Sequence, residues 1–359
     1  MTLQANCTPL LIGSLPLKDY RQAIDLIFQH TPEIPLWPQL PKNDKEGMVR
    51  QFVSGFPGLV DADRRFYVDT AREGFEQEMA DFYEEVMCIE SDPKLLPHSR
   101  FSLGTDTAGG FIAFMEALSE RKQSWTTIKG QITGPVTTGI GIKNQNGKSI
   151  IYDENLSDML ITLLSLKAQF QIMALKKFCT NVPPIIFIDE PALVSFGSSG
   201  FSGVTAEMVS AAVDRVISAI QKAGGIAGVH ICANGDWGPS LLSATDIISF
   251  DAYFYFENFI LYRDQLSAFL KKGGALAWGI VPTGDPLVVD QESPPSLYRK
   301  WRTQLSQLST LGFSEKLLLQ QTFIAPSCGT GSLSIDQATK VLVMTSELAK
   351  LAKAHMENQ

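Results

Sequence analysis

Histidine is scarce in this 359-residue chain: only His30, His98, His230 and His355 stand against 38 acidic side chains. Chemistry that draws on imidazole, whether proton transfer or metal ligation, therefore has few places to reside. Cationic patches are missing as well. The formal net charge is −8 and no run of five or more basic residues occurs, which argues against nucleic acid or an anionic membrane surface as a partner. No uninterrupted apolar stretch reaches membrane-spanning length, and residues 1–16 lack the basic start and sustained apolar run of a secretion signal. The expected setting is the cytoplasm. The five cysteines, Cys7, Cys88, Cys179, Cys232 and Cys328, are an odd and widely scattered set, unlike the dense framework of a small secreted domain. Metal ligation or plain burial accounts for them better than disulfides. No linker, internal repeat or low-complexity tract divides the chain, so a single domain over 1–359 with a small-molecule or protein partner is expected. The Gly- and Ser-rich loop 194–204 reads as a mobile surface segment.

Apolar runs alternate with amphipathic stretches through most of the chain. Strands are expected over 9–14, 34–40, 126–133, 184–190, 225–232, 246–252, 275–282 and 316–325. Helices are expected over 18–28, 156–178, 206–223, 259–272, 294–311 and 335–353, with a short helical link at 237–243. Strands alternating with helices imply a parallel sheet. Eight such strands are the number that closes a barrel, so the predicted fold class is α/β, a (β/α)8 TIM barrel. A long helical insertion, about 42–123, separates its second and third strands. Within it, 65–87 has helical spacing and reads as one amphipathic helix, either a packing element or a lid or docking surface.

Active sites in this architecture lie at the C-terminal ends of the strands. The polar residues expected there are Gly13, Ser14, Gln39, Thr133, Asp189, Glu190, His230, Cys232, Asp251, Thr283 and Cys328. On a strand, residues i and i+2 point to the same side, so His230 and Cys232 can share one ligand. A lone His-x-Cys is also what a core histidine beside a buried cysteine looks like. Cys328, at the end of a later strand, supplies a third soft ligand. Imidazole and thiolate are the ligands zinc prefers, and a three-ligand zinc keeps a position open for substrate. Asp251, on the strand next to the His-x-Cys strand, is the natural fourth ligand or the group that a substrate displaces. Asp189 could equally cap a helix before Pro191, and Thr133 to Thr137 could be only a tight strand-to-helix turn.

Five motifs occur in order: Ile12-Gly13-Ser14, Thr133-Gly134-Pro135-Val136-Thr137, Ile188-Asp189-Glu190-Pro191-Ala192-Leu193, His230-Ile231-Cys232 and Ser327-Cys328-Gly329. In these the chain resembles the cobalamin-independent methionine synthase superfamily, which also holds the uroporphyrinogen decarboxylases and corrinoid-dependent methyltransferases. The likeness is to its methyltransferase branch. The resemblance implies a zinc-dependent enzyme that methylates a zinc-bound thiol, most often homocysteine, with His230, Cys232 and Cys328 as ligands. Asp251 stands where the family more often has Glu, and Glu257 is the substitute to consider. Asp189 is implied as the catalytic-site carboxylate that holds the amino group of homocysteine, and the Ile12-Gly13-Ser14 segment as the receiver of its carboxylate. Glu190 and Thr133 complete the expected substrate-binding set.

Three departures bear on the methyl donor. The family's full-length synthases carry a second, N-terminal barrel, and this sequence reads as one. Met48-Val49-Arg50 stands where they have a carboxylate, and Val281-Pro282-Thr283-Gly284-Asp285-Pro286 stands where they have a His-Ser-Pro thought to protonate a folate leaving group. A cobalt leaving group needs no proton, so a methyl-corrinoid, carried by a partner protein, is the expected donor. The alternatives are a folate-dependent homocysteine methyltransferase, a uroporphyrinogen decarboxylase-like enzyme and a non-catalytic metal- or corrinoid-binding protein. Decarboxylation of a polycarboxylate would need cations near the N-terminus, where only Lys18 and Arg21 precede Lys42.

Overall fold

Six strands, β3 (Lys129–Thr133), β4 (Ile185–Asp189), β5 (Ile226–Ile231), β6 (Ile247–Phe250), β7 (Ala275–Val281) and β8 (Thr322–Pro326), lie side by side and parallel in that order; the first five fall within the spans the sequence predicts, and β8 runs one residue beyond its span. A separate antiparallel pair, β1 (Leu59–Ala62) and β2 (Arg65–Val68), precedes them. The helices in chain order are α1 (Tyr20–His30), α2 (Phe75–Ser91), α3 (Gly109–Glu120), α4 (Pro135–Gly141), α5 (Glu154–Leu175), α6 (Ala206–Lys222), α7 (Gly238–Leu242), α8 (Ala252–Phe259), α9 (Arg263–Lys271), α10 (Pro286–Gln291), α11 (Pro294–Ser309), α12 (Glu315–Gln320) and α13 (Ile335–Glu357). The computed structural model describes residues 4–62, 65–121, 125–180, 182–196, 201 and 203–359. Positions 197–200 and 202 of the Gly- and Ser-rich loop lie outside the described residues.

Alternate residues of the strands face inward. Ile185 and Phe187, Ile247, Ala275 and Ala277, Phe323 and Ala325 meet there with Leu10 and Ile34 in one buried cluster. The outward faces pack on the helices in a second, larger core. Small and large side chains are matched across the interior. A Cβ on Gly228 would stand 2.1 Å from the Phe187 ring, so the ring fills the space only because β5 carries glycine beside it.

The closed eight-stranded barrel of the sequence reading is corrected here. Residues 9–14 and 34–40 are not strands; they run between β8 and β3 and touch their neighbours at single parallel bridges, Pro9 with Ile324, Ser14 with Gln39 and Leu36 with Lys129. Pro9, Pro35 and Pro38 lack the N–H that a continuous ladder requires. The helix expected over 65–87 starts only at Phe75, because Phe66, Tyr67 and Val68 pair with β1, as β-branched and aromatic residues favour. The strand expected from 316 is preceded by α12, whose cap Ser314 accepts from Leu317 N at 3.3 Å. Leucine is a strong helix former, and the run Leu317-Leu318-Leu319 follows that preference. Segment 42–123 also holds α3, which the sequence reading left unassigned.

The stretch Glu154–Phe178 is long and apolar enough, by length and composition, to cross a membrane, but 61% of its most apolar window is buried inside the protein. Its Lys167 is fully buried and donates to Ser102 O at 3.0 Å, Arg100 O at 3.3 Å and Ser54 Oγ at 3.3 Å. That fastens 54 and 100–102 to α5 without a carboxylate. Burial pushes its ammonium down to about 7, against roughly 10.4 for an unfolded lysine. Between those values the unfolded chain holds a proton that the folded chain has released. Stability should therefore rise with pH across this window, by up to about 1.4 kcal/mol per pH unit from this group. Urea unfolding at several pH values checks it, and Lys167→Met should flatten the rise. An identical slope in the variant contradicts the assignment.

Candidate metal centre

Strand β5 carries its polar residue where the apolar run ends. His230 lies in register with Asp189 of β4 on one side and Ser249 of β6 on the other. Its Nδ1 is 2.9 Å from Ser249 Oγ. With the proton on Nδ1 and donated to Ser249, Nε2 presents a lone pair, the arrangement of a ligating imidazole. Nε2 is buried and has no hydrogen-bond partner. Burial, and then the field of Lys129, lower the His230 pKa to about 3. The ring is thus neutral at physiological pH, as ligation requires.

Two sulfurs stand beside it. The ligand atoms of His230, Cys232 and Cys328 all lie within 4.8 Å of one another. Cys232 follows β5 directly, and Cys328 follows β8, where Ser327 Oγ accepts from Thr283 N at 3.1 Å and lies 3.0 Å from Thr283 Oγ1. Those bonds tie the end of β7 to the residue before the second thiol. A hydrogen bond between the two sulfurs lowers the pKa of Cys232 and raises that of Cys328. An unsatisfied imidazole nitrogen beside two half-buried thiols is a donor set that suits a zinc ion, with a position left for a further ligand.

Asp251 is the expected fourth protein ligand. Asp251 is buried, but its carboxylate accepts from Phe254 N at 3.0 Å as the cap of α8, and it stands outside the three-residue cluster. A helix that begins immediately after β6 captures the side chain. Burial raises its pKa to about 6. Glu257, the substitute considered, is exposed on α8.

The three ligands open into a cavity of about 370 Å³ whose wall also includes Ile12, Ser14, Gln39, Glu46, Met48 and Asp189. Asp189 Oδ1 is buried without a hydrogen-bond partner. Burial raises its pKa, and Lys129 opposes that shift. Other expected substrate residues make contacts within the frame. Glu190 accepts from Val136 N at 2.9 Å, Thr137 N at 2.8 Å and Thr137 Oγ1 at 2.6 Å, holding the start of α4. Thr133 Oγ1 donates to Met48 O at 2.7 Å, and Gly13 faces the side chains of Gln39 and Gln131.

Comparison with known proteins places the chain among solved structures only. No family model matches it, and no curated protein matches it. It is similar to the structure of a B12-independent methionine synthase from a Shewanella species, with 20% identity, 68% of each chain covered and a TM-score of 0.47. It is also similar to a methyltransferase from Methanosarcina mazei, with 12% identity, 96% of this chain and 98% of the other covered, and a TM-score of 0.48. Likeness at this level bears on no residue role, and the geometry above stands by itself.

Three residues at the site went unremarked in the sequence. Lys129, fully buried in the sheet interior, donates to Gln131 Oε1 at 3.3 Å and to the carbonyl of Ile12, with its Nζ 4.6 Å from the Phe187 ring centre. Ser249 fixes the imidazole, and Glu46 lies on the cavity wall. For Ser249 the available signal is a lone polar residue on the inward alternation of an otherwise apolar strand; Lys129 shares its alternation with Gln131 and Thr133 and has no such signal. For Glu46 there is none.

Proposed function

We propose that the chain is a zinc-dependent methyltransferase on a TIM-barrel-like frame, transferring a methyl group from a methyl-corrinoid to a thiol, with homocysteine as the acceptor of choice. The observation that carries this reading is the partnerless Nε2 of His230, grouped with two thiols at the mouth of a cavity large enough for a small thiol. Zinc bound there lowers the pKa of a coordinated thiol enough to keep it as thiolate. His230, held by Ser249, and the two cysteines would hold that ion. Asp189 offers its free Oδ1 to the acceptor's ammonium, and Ile12 and Ser14 line the same cavity. Five free cysteines suit a reducing compartment, and the proposed setting is the cytoplasm.

The choice of donor rests on what surrounds the end of β7. Sulfur attacks the methyl carbon as the carbon–cobalt bond breaks and its electron pair stays on cobalt, so no proton is moved. A folate donor leaves as an amine and needs one. Asp285 accepts from Leu287 N at 2.9 Å as the cap of α10. His30 lies 3.1 Å from Ser346, and His355 pairs with Glu315 of α12 at 2.6 Å, so both are engaged away from β7. The test is incubation of zinc-loaded protein with methylcobalamin and homocysteine. Methionine is the expected product, and failure to methylate homocysteine or any other small thiol contradicts the proposal.

A further inference from the structure

The three inward residues of β3 act on one stretch of chain. Lys129 donates to the carbonyl of Ile12, Gln131 Nε2 to Trp37 O at 2.9 Å and Thr133 Oγ1 to Met48 O at 2.7 Å. All three side chains belong to fully buried residues, and all three carbonyls lie before β1, where 9–14 and 34–40 meet their neighbours only at single bridges. Side chains of β3 thus supply part of the hydrogen bonding that a ladder would give. Lys129 reaches furthest. Its own backbone bridges Leu36 of the nearer segment, while its ammonium, 4.6 Å from the centre of the inward Phe187 ring, holds the farther one.

The segment it holds is clamped on its other side by the residues after Cys328. Ser14 O accepts from Thr330 N at 2.9 Å and from Thr330 Oγ1 at 3.0 Å, and Ser14 Oγ accepts from Gly331 N at 3.3 Å. Gly329 permits this approach, since a Cβ there would stand 2.0 Å from Ser14 Oγ. A contiguous chain therefore runs from Lys129 through Ile12 and Ser14 to Thr330 and Cys328. We infer that Lys129 is a positioning residue for the metal centre: by holding Ile12 from within the sheet it fixes the 12–14 edge against 329–331, and so sets Cys328 beside His230 and Cys232. This inference rests on the three-ligand metal reading above and adds to it the residue that keeps the third ligand in reach.

Charge and position act in opposite directions here. The field of Lys129 opposes a positive charge at His230, and an ammonium repels a divalent cation. If its charge alone mattered, Lys129→Met would tighten metal binding. If it positions Cys328, the same variant leaves Ile12 O without its donor, loosens the edge and weakens binding. The full chain is titrated with cobalt(II), and affinity and thiolate-to-cobalt absorption are read beside a thermal melt. Lys129→Met should bind cobalt about ten-fold more weakly, the lower end of what loss of an outer-shell partner costs. Its absorption at saturation should fall from the intensity of two thiolates toward that of one. Lys167→Met, at the other fully buried lysine among the described residues, should leave affinity and absorption unchanged. Binding by Lys129→Met that is unchanged or tighter, an undiminished band, or an equal loss in Lys167→Met overturns the inference. Should Lys129→Met not fold, Thr330→Val removes one donor to Ser14 O at the far end of the chain of contacts. It should lower cobalt affinity about three-fold, and no loss there overturns the inference as well. If the unaltered protein shows no thiolate-to-cobalt band, the metal reading itself fails.

Discussion

Replacement of Cys232 or Cys328 by serine should lower zinc affinity by more than about 100-fold, since loss of an outer-shell partner alone typically costs about 10- to 100-fold. The fold should survive. Both thiols are only half-buried, and neither belongs to the apolar clusters that hold the sheet together. Zinc content after dialysis against a chelator, read beside a thermal melt, separates the two effects. Retention of a full equivalent of zinc by both variants would mean that the ion sits elsewhere.

Methyl transfer from methylcobalamin, or from a methylated corrinoid protein, should outpace transfer from methyl-tetrahydrofolate by at least about 100-fold. A positioned general acid contributes about 10²- to 10⁴-fold, and none of the histidines lies free at the end of β7. His230 is grouped with the thiols, His30 and His355 are engaged with Ser346 and Glu315, and His98 ends a short helical turn over Pro93–His98. The comparison uses homocysteine as acceptor with each donor at equal concentration and neutral pH. Comparable rates would mean that Asp285 or another group delivers the proton, and the donor assignment would be withdrawn.

The strands from β4 to β8 were legible because each is a mostly apolar run, and Asp189, His230 and Cys232 announce the ends of β4 and β5. Placing Cys328 beside them required only that β5 and β8 share one mouth. What the sequence hid depends on partners. Residues 9–14 and 34–40 have strand-like composition, yet their prolines leave single bridges in place of ladders. Asp251 has the ligand's chemistry and the inward register, but the first turn of α8 takes its carboxylate. Glu190 sits in a motif beside Asp189, and its three bonds to Val136 and Thr137 emerge only when β3 and β4 pair. Glu46 and Lys129 have no spacing signature at all, because each matters through residues distant in the chain.

X-ray absorption at the zinc edge puts the central claim to its most direct test. Without acceptor, the ion should show two sulfur neighbours and one imidazole nitrogen among its protein ligands, from Cys232, Cys328 and His230. Addition of homocysteine should raise the sulfur count to three, with zinc–sulfur distances near 2.3 Å. A count that stays at two at saturating thiol would contradict a substrate-binding zinc and reduce the three ligands to a structural site.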